Sequence, residues 1–154
     1  MRLTFILALA ALTIPCYAQP QSKAEVFTDH AIASQLAALV QSAKVSGSSG
    51  STLGDYGSRA IKLSVRTESG GAEMHEHYDD IFLVTDGKAK LVTGGSVVGA
   101  KTDSQGETKG SSIQNGDSVT IAKGDVVHIP AGVPHQLILA PGNVYSSVVI
   151  KVRE

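Results

Sequence analysis

Hydrophobic positions follow two different periods along this chain. Between Thr28 and about Lys44 the apolar residues recur at intervals of three and four, at Ile32, Leu36, Leu39, Val40 and Ala43. Such positions share one face of a helix, and Thr28 or Asp29 offers a side chain suited to cap its start. The pattern predicts a single helix that packs outside the main domain or takes part in a dimer contact.

From Ile61 onwards the period changes to two, which is the period of a strand with one buried face. Short apolar runs bounded by Gly, Asp, Asn or Pro predict further strands at 81–85, 88–93, 119–122, 126–129, 136–139 and 145–152. Thr85-Asp86-Gly87 is a hairpin turn signal between two of them. Many short strands with closely spaced turns predict an all-β sandwich or barrel.

Two polar segments interrupt these patterns. The stretch 46–58 reads SGSSGSTLGDYGS, and its composition predicts a flexible connector. The stretch 99–116 contains few apolar residues and predicts a long hairpin excursion or a lid-like loop. Its charged residues, Asp103, Glu107 and Lys109, are expected to be solvated.

The first residues are typical of a secretory signal peptide. Arg2 precedes a short apolar run, and small residues at Cys16 and Ala18 favour cleavage after residue 18. The run is too short to span a bilayer. A lipid anchor on Cys16 is the alternative, which Pro15 disfavours. We therefore expect a signal peptide at 1–18, a helix and linker at 19–58, a barrel at 59–154, and a periplasmic or secreted protein without stable membrane insertion.

Charge and cysteine content narrow the function classes. The 13 basic residues are balanced by 14 acidic ones, so no basic surplus indicates nucleic acid as a partner. The single cysteine lies in the predicted signal peptide, so the mature chain has neither a disulfide nor a thiol nucleophile. Histidine is the one reactive residue type that is clustered in the sequence, because four of the five histidines fall between positions 75 and 135.

Two segments hold the candidate chemistry. His75 and His77 are two residues apart, so on one strand they would point to the same face. Two imidazoles with a nearby carboxylate suit a divalent first-row transition metal. In the second segment Pro130, Gly132 and Pro134 predict a stiff turn that ends at His135, and a stiff turn can fix one more ligand.

These two segments resemble the paired motifs of the cupin superfamily. The second is the closer match, with Gly124, Pro130, Gly132 and His135 at the family's spacing. The first has the His75-x-His77 pair and the closing Gly87, and six residues separate Gly87 from Asp80, which stands where the family has Glu. Only two residues separate His77 from Asp80, where the family has three or four. The resemblance covers about 61–152.

The resemblance implies a double-stranded β-helix, or jelly-roll, barrel with one metal site. Its ligands would be His75, His77, Asp80 and His135, and the metal would be Fe, Mn, Ni, Cu or Zn. Asp79 is an alternative oxygen ligand, although strand alternation places it on the opposite face from Asp80. A site of three histidines alone stays open.

Other polar residues are weaker candidates for the same cavity. Tyr78, His128 and Lys151 are catalytic candidates, and Arg66 and Phe82 are candidate lining residues. Lys151 lies either on the solvent face of an edge strand or inside, where it would hold an anionic substrate or act as an acid. His128 is expected to be an ordinary strand histidine, and His30 an exposed helix residue.

We therefore expect a metal-dependent oxygenase, isomerase or lyase that acts on a small organic molecule. The alternative is a non-catalytic module that binds a metal or a small ligand. A homodimer would be compatible with either function.

Overall fold

The computed structural model describes residues 23–154, so the predicted signal peptide lies outside the described residues. One helix, α1 (Asp29–Ser46), precedes a run of strands. In chain order these are β1 (Ser48–Asp55), β2 (Arg59–Arg66), β3 (Ala72–His75), β4 (Tyr78–Asp86), β5 (Lys88–Thr93), β6 (Ser96–Val98), β7 (Lys101–Thr102), β8 (Glu107–Gly110), β9 (Ser112–Gln114), β10 (Asp117–Ala122), β11 (Val126–Ile129), β12 (His135–Ile138) and β13 (Tyr145–Arg153).

The predicted helix is confirmed, together with its cap. The Thr28 hydroxyl accepts a hydrogen bond from the backbone N–H of Ala31, which satisfies one of the free donors at the helix start. Gly47 ends the helix in the left-handed conformation, with φ of 81°, and its N–H donates to the Ala43 carbonyl. No helix in the described part of the chain is long and apolar enough to cross a membrane.

Two antiparallel sheets form the barrel. One has the strand order β1-β2-β13-β4-β11, and the other has the order β10-β5-β12-β3-β8-β7. A small third sheet pairs β6 with β9. Neighbours that are distant in sequence, such as β2 and β13, show that the chain wraps repeatedly between the sheets. The all-β architecture with one N-terminal helix is confirmed.

The Gly/Ser-rich segment is not a connector, and that expectation was wrong. It forms β1, which pairs with β2 from Ser48↔Arg66 to Asp55↔Ala60. Gly and Ser are typical of linkers, but nothing in their backbones prevents them from completing a ladder beside an already formed strand. This strand therefore adds an edge to the five-stranded sheet.

The stretch 99–116 is also more regular than expected. Its strand β8 joins the six-stranded sheet, where Glu107 pairs in register with His75. The segment is therefore part of the barrel wall at this strand, and Glu107 is half-buried rather than solvated.

Alternation along the strands decides which residues enter the barrel. On β4, Asp80, Phe82 and Val84 are buried, whereas Leu83 between them is exposed. The main core contains only apolar residues from both sheets: Phe82, Val84, Ala89, Leu91, Ile121, Ile129, Leu137, Leu139 and Tyr145. Polar residues gather where this core ends, since the Phe82 ring lies edge-on to His135 at a centroid distance of 6.3 Å.

Candidate metal centre

Two buried histidines converge inside the barrel. His75 ends β3 and is 6% exposed, while His135 begins β12 and is 5% exposed. Their ring centroids are 5.2 Å apart. The two strands are hydrogen-bonded neighbours in the six-stranded sheet, so the fold itself brings together the two motifs that lie about sixty residues apart in sequence.

Each ring has its Nδ1 atom engaged by an oxygen. The Glu107 carboxylate lies 2.5 Å from Nδ1 of His75, and the Val133 carbonyl lies 3.2 Å from Nδ1 of His135. An acceptor at Nδ1 favours the tautomer with its proton there and leaves the Nε2 lone pair for a ligand bond. Both rings are therefore oriented as metal-binding histidines usually are.

Carboxylates complete the donor set. The Asp80 Oδ2 atom lies 3.2 Å from Nε2 of His75 and 3.7 Å from Nε2 of His135. Glu73 adds Oε2 at 4.0 Å from Nε2 of His75. One ligand atom each from Glu73, His75 and His135 lies within 4.8 Å of the other two.

These separations fit a single metal ion. Two ligand atoms that are each about 2.1 Å from one ion lie at most about 4.2 Å apart, and the three contacts of Asp80 and Glu73 with the histidines are shorter than this limit. Two nitrogens and two carboxylate oxygens also form a donor set suited to first-row divalent ions. The residues present therefore could hold the metal that the motifs imply.

The protonation states of Asp80 and His135 agree with this donor set, whereas, despite burial, the neighbouring carboxylates raise the pKa of His75 and shift it towards its charged form. Burial lowers the pKa of His135, and the Val133 carbonyl opposes that effect only in part. Burial alone would raise the pKa of Asp80, but the hydrogen bond to His75 and the positive charge of Lys151 hold it below its usual value. Despite burial, the hydrogen bond to Asp80 raises the pKa of His75. Asp80 is thus ionised and His135 neutral at physiological pH, as metal ligands must be.

The structure does not bring His77 to this group. The strand β3 ends at His75, and residues 76–77 form a turn before β4, so the assumption that the two histidines share one strand was wrong. His77 is exposed and lines a separate polar cavity with Tyr78, Ser104, Gln105, Glu107 and Arg153.

Glu73 is the residue that sequence reasoning missed, and the spacing contained a signal for it. Glu73 is two residues before His75, as the first family histidine is before the second. Four residues then separate His75 from Asp80, within the family's three or four. The departure noted for His77 disappears when the motif is read as Glu73-x-His75 with Asp80 and Gly87 in their family places.

The remaining sequence candidates take different places. Asp79 faces away from Asp80, as alternation predicted, and it accepts hydrogen bonds from His128 Nε2 (2.7 Å) and from the Ala131 N–H (2.8 Å). His128 is exposed, with 55% of its side chain accessible. His30 is exposed on α1, as predicted. Asp79 therefore ties β4 to the turn that precedes His135 rather than pointing into the cavity.

Lys151 points inward. It lies on β13, a central strand of its sheet, and its Nζ atom lies 2.9 Å from Asp80 Oδ1. Of the two positions that the sequence left open, the inward one is observed and the edge position is excluded, because β2 and β4 flank this strand on both sides. Tyr78 stands beside it, with Lys151 Nζ 5.9 Å from its ring centroid.

The four donors open into a cavity of about 220 Å³. Its wall combines apolar positions such as Phe82, Leu137 and Val149 with the cations Lys62, Arg66 and Lys151. A cavity whose wall joins apolar positions to convergent polar groups is a usual form of small-molecule site.

No protein-family model matches the sequence, and no curated protein matches it either. Solved structures do match. The cupin domain of Schizosaccharomyces pombe Cnp3 aligns with a TM-score of 0.53 at 11% identity, covering 70% of this chain and 65% of that one. The chain thus spans just under two thirds of that structure.

Two further structures show the same likeness. A predicted oxalate decarboxylase from Thermotoga maritima aligns with a TM-score of 0.52 at 14% identity, over 70% of this chain and 81% of that one. The polyketide cyclase RemF from Streptomyces resistomycificus aligns with a TM-score of 0.50 at 18% identity, over 70% and 67% of the two chains. Identities this low speak for the fold alone. The chain therefore has the fold of the cupin superfamily, the double-stranded β-helix that its two histidine motifs predicted.

Proposed function

We propose that this protein is a metal-dependent cupin that acts on a small organic molecule. Glu73, His75, Asp80 and His135 would hold one divalent transition metal. The observation that carries the proposal is the convergence of two imidazoles, each fixed through Nδ1, with two carboxylates at the wall of one cavity. When bound, such an ion supplies Lewis acidity or redox chemistry.

The surrounding residues have roles that follow from their contacts. Glu107 and the Val133 carbonyl hold the imidazoles in the ligand tautomer. Lys151 keeps Asp80 ionised by its charge and hydrogen bond. The apolar wall excludes water from one side of the substrate, which strengthens polar interactions there. An open metal centre of this kind is compatible with oxygenase, isomerase or lyase chemistry, and two similar folds are named as a predicted oxalate decarboxylase and a polyketide cyclase.

Metal analysis tests the proposal directly. We expect about one first-row transition metal per chain in protein purified without added metal. His135→Gln and Glu73→Gln should lose most of it, whereas His77→Gln is the matched control and should keep it. Wild-type protein without metal uptake, or equal uptake by all three variants, would contradict the proposed site.

Catalysis is separated from simple binding by access to the metal. Azide added to the cobalt-loaded protein should change the cobalt absorption spectrum, because a catalytic centre keeps an open coordination position. A metal that is retained but insensitive to azide would favour the alternative, a non-catalytic binding module.

We also propose that the protein acts in the periplasm or outside the cell. The signal-like residues 1–18 support this, and so does a remainder of the chain without cysteine, which is suited to an oxidising compartment. Mass spectrometry of the protein from its native compartment should find an N-terminus at Gln19. An intact Met1 would contradict this assignment.

A further inference from the structure

We propose that the ligand of this cavity is a small organic anion whose carboxylate is drawn to an uncompensated positive charge at the metal. This inference rests on the proposed function and names the substrate class for that site. It follows from the way in which the two acidic ligands are paired with cations.

Each acidic ligand shares its two oxygens between a cation and the histidines. Asp80 directs Oδ1 to Lys151 Nζ at 2.9 Å and Oδ2 to the histidine Nε2 atoms. Glu73 directs Oε1 to Arg66 Nη2 at 3.6 Å and Oε2 to His75. One oxygen of each carboxylate is therefore left for a metal, and the negative charge of each is already matched by a lysine or an arginine.

The consequence is an electropositive centre. Histidine ligands are neutral, so with both carboxylate ligands matched only Glu107, which contacts Nδ1 of His75, offsets part of the double charge of a divalent ion, and a net positive charge remains. The pair of Asp80 and Lys151 is shielded from water, with side chains 5% and 18% exposed, whereas Glu73 and Arg66 at 36% and 21% exposure stand nearer the solvent. Charges in such surroundings interact more strongly than in bulk water, so an anion entering this cavity is favoured over a neutral molecule of the same shape.

A third cation reinforces this preference at the entrance. Lys62 lines the same cavity but is exposed, which places it at the mouth. It makes no ion pair with any of the residues that the structure describes. A cation in this position attracts negatively charged molecules towards the cleft.

The size of the cavity limits the anion. A volume of about 220 Å³ holds about seven water molecules at roughly 30 Å³ each. This suits a small carboxylic acid and excludes a multi-ring substrate or an oligosaccharide from full burial.

The test compares malonate with malonamide, which has the same carbon skeleton without charge. Both are titrated into Co²⁺-loaded and into metal-free protein, and binding is followed by isothermal titration calorimetry, which works with and without cobalt. Malonate should bind at least about tenfold more tightly than malonamide, and removal of Co²⁺ should weaken malonate binding by a similar factor.

The variant Arg66→Gln tests the role of the paired cations more directly, because it removes one cation and leaves Glu73 with a polar neighbour. We expect about tenfold weaker malonate binding together with Co²⁺ affinity that is unchanged or higher, since one positive charge near the metal has gone. Arg66→Lys should restore malonate binding in large part. Lys44→Gln, on the exposed face of α1, is the matched control and should leave both affinities unchanged.

The outcomes separate the two proposals. Wild-type protein that takes up no Co²⁺ would overturn the proposed function and this inference with it. Metal uptake with malonamide bound as tightly as malonate would overturn this inference alone. Malonate affinity that is unchanged in a folded, cobalt-loaded Arg66→Gln protein would do the same.

Discussion

At the scale of single residues, the buried pair of Asp80 and Lys151 is the contact on which the cavity depends most. Lys151→Met would leave the Asp80 carboxylate without its cation in a site where it is 5% exposed. Removal of one partner from a buried pair costs about 3 to 5 kcal/mol, and the partial exposure of Lys151 places the loss near the lower limit. We expect the free energy of unfolding, measured with urea in the presence of a chelator, to fall by about 3 kcal/mol.

The chain offers a matched control for this substitution. Lys123 and Asp86 also form a lysine–aspartate pair, with 4.0 Å between Nζ and Oδ1, but both side chains are more than 70% exposed. Exposed pairs contribute at most about 1 kcal/mol, so Lys123→Met should hardly change the free energy of unfolding. If both variants lost the same free energy of unfolding, the buried pair of Asp80 and Lys151 would stabilise the protein no more than an exposed pair does.

The buried phenol of Tyr145 should make the free energy of unfolding depend on pH in the alkaline range. Its side chain is fully buried, and burial raises its pKa, an effect that Ser147 only partly offsets. In the unfolded chain the phenol ionises near pH 10, whereas the folded protein keeps it protonated. The stabilising contribution is therefore complete below about pH 10 and is lost as the pH rises through the folded-state value. Tyr145→Phe should reduce the loss of unfolding free energy between pH 9 and pH 11, and an unchanged loss would contradict the prediction.

Residue types and their spacing identify part of the metal site from the sequence alone. His75, Asp80 and His135 could be selected from the sequence because histidine, aspartate and the Pro-x-Gly turn stand out there. Glu73 was passed over although its spacing to His75 contained a signal, because His75-x-His77 imitates a metal-binding pair and the strand end between these two histidines is not visible in the sequence. Glu107 was missed for a different reason: its contact with His75 depends on the pairing of β8 with β3, which no local pattern encodes.

At the scale of elements, glycine is required for different physical reasons at two positions of the motifs. Gly87 turns β4 into β5 with φ of 75°, and a Cβ there would lie 1.9 Å from the Val144 carbonyl oxygen. Gly124 has φ of 95°, but a Cβ there would meet nothing within 4 Å. The first glycine is required by both conformation and space, and the second by conformation alone.

Alanine at each position should separate these effects. Gly124→Ala only forces alanine into the left-handed conformation, which lowers the free energy of unfolding by about 1 to 2 kcal/mol. Gly87→Ala adds a collision with backbone atoms, so we expect a loss of about 2 to 5 kcal/mol in the free energy of unfolding. Chemical denaturation of both variants measures the difference. Losses of the same size would mean that the β4–β5 hairpin adjusts to the extra atom at no cost.

Strand prediction succeeded where the sequence alternates and failed where pairing alone makes the strand. β5 and β11 have the predicted bounds, since apolar runs between turn residues define them locally. β1 has the sequence SSGSTLGD, with only one large apolar residue. Its conformation comes from the hydrogen bonds to β2, a partner that local composition does not reveal.

At the scale of the whole molecule, β2 separates two regions of buried side chains. On β2, Lys62 and Ser64 pair with Val149 and Ser147 of β13 and share their inner face. Alternation therefore directs the Leu63 and Val65 side chains to the opposite side of the sheet, although Leu63 also borders the metal cavity. Both are at most 1% exposed, yet neither belongs to the main core cluster. The helix α1 packs on β1 and β2, where Ala43 is fully buried and the Thr67 hydroxyl donates to the Ala43 carbonyl at 2.7 Å. The helix thus covers the back of the strand that carries Arg66.

Removal of α1 should therefore affect both stability and the site. A chain that starts at Ser48 would expose Leu63 and Val65, and burial of two such side chains contributes roughly 3 to 6 kcal/mol. We expect a lower thermal midpoint than for residues 23–154 and weaker metal binding, because β2 loses support on its outer face. The double variant Val26→Ser and Val45→Ser is the control, since these side chains are 78% and 91% exposed and should contribute nothing to the midpoint. A shortened chain that melts at the same temperature and binds metal equally well would mean that the helix contributes neither to the stability of the barrel nor to the metal site.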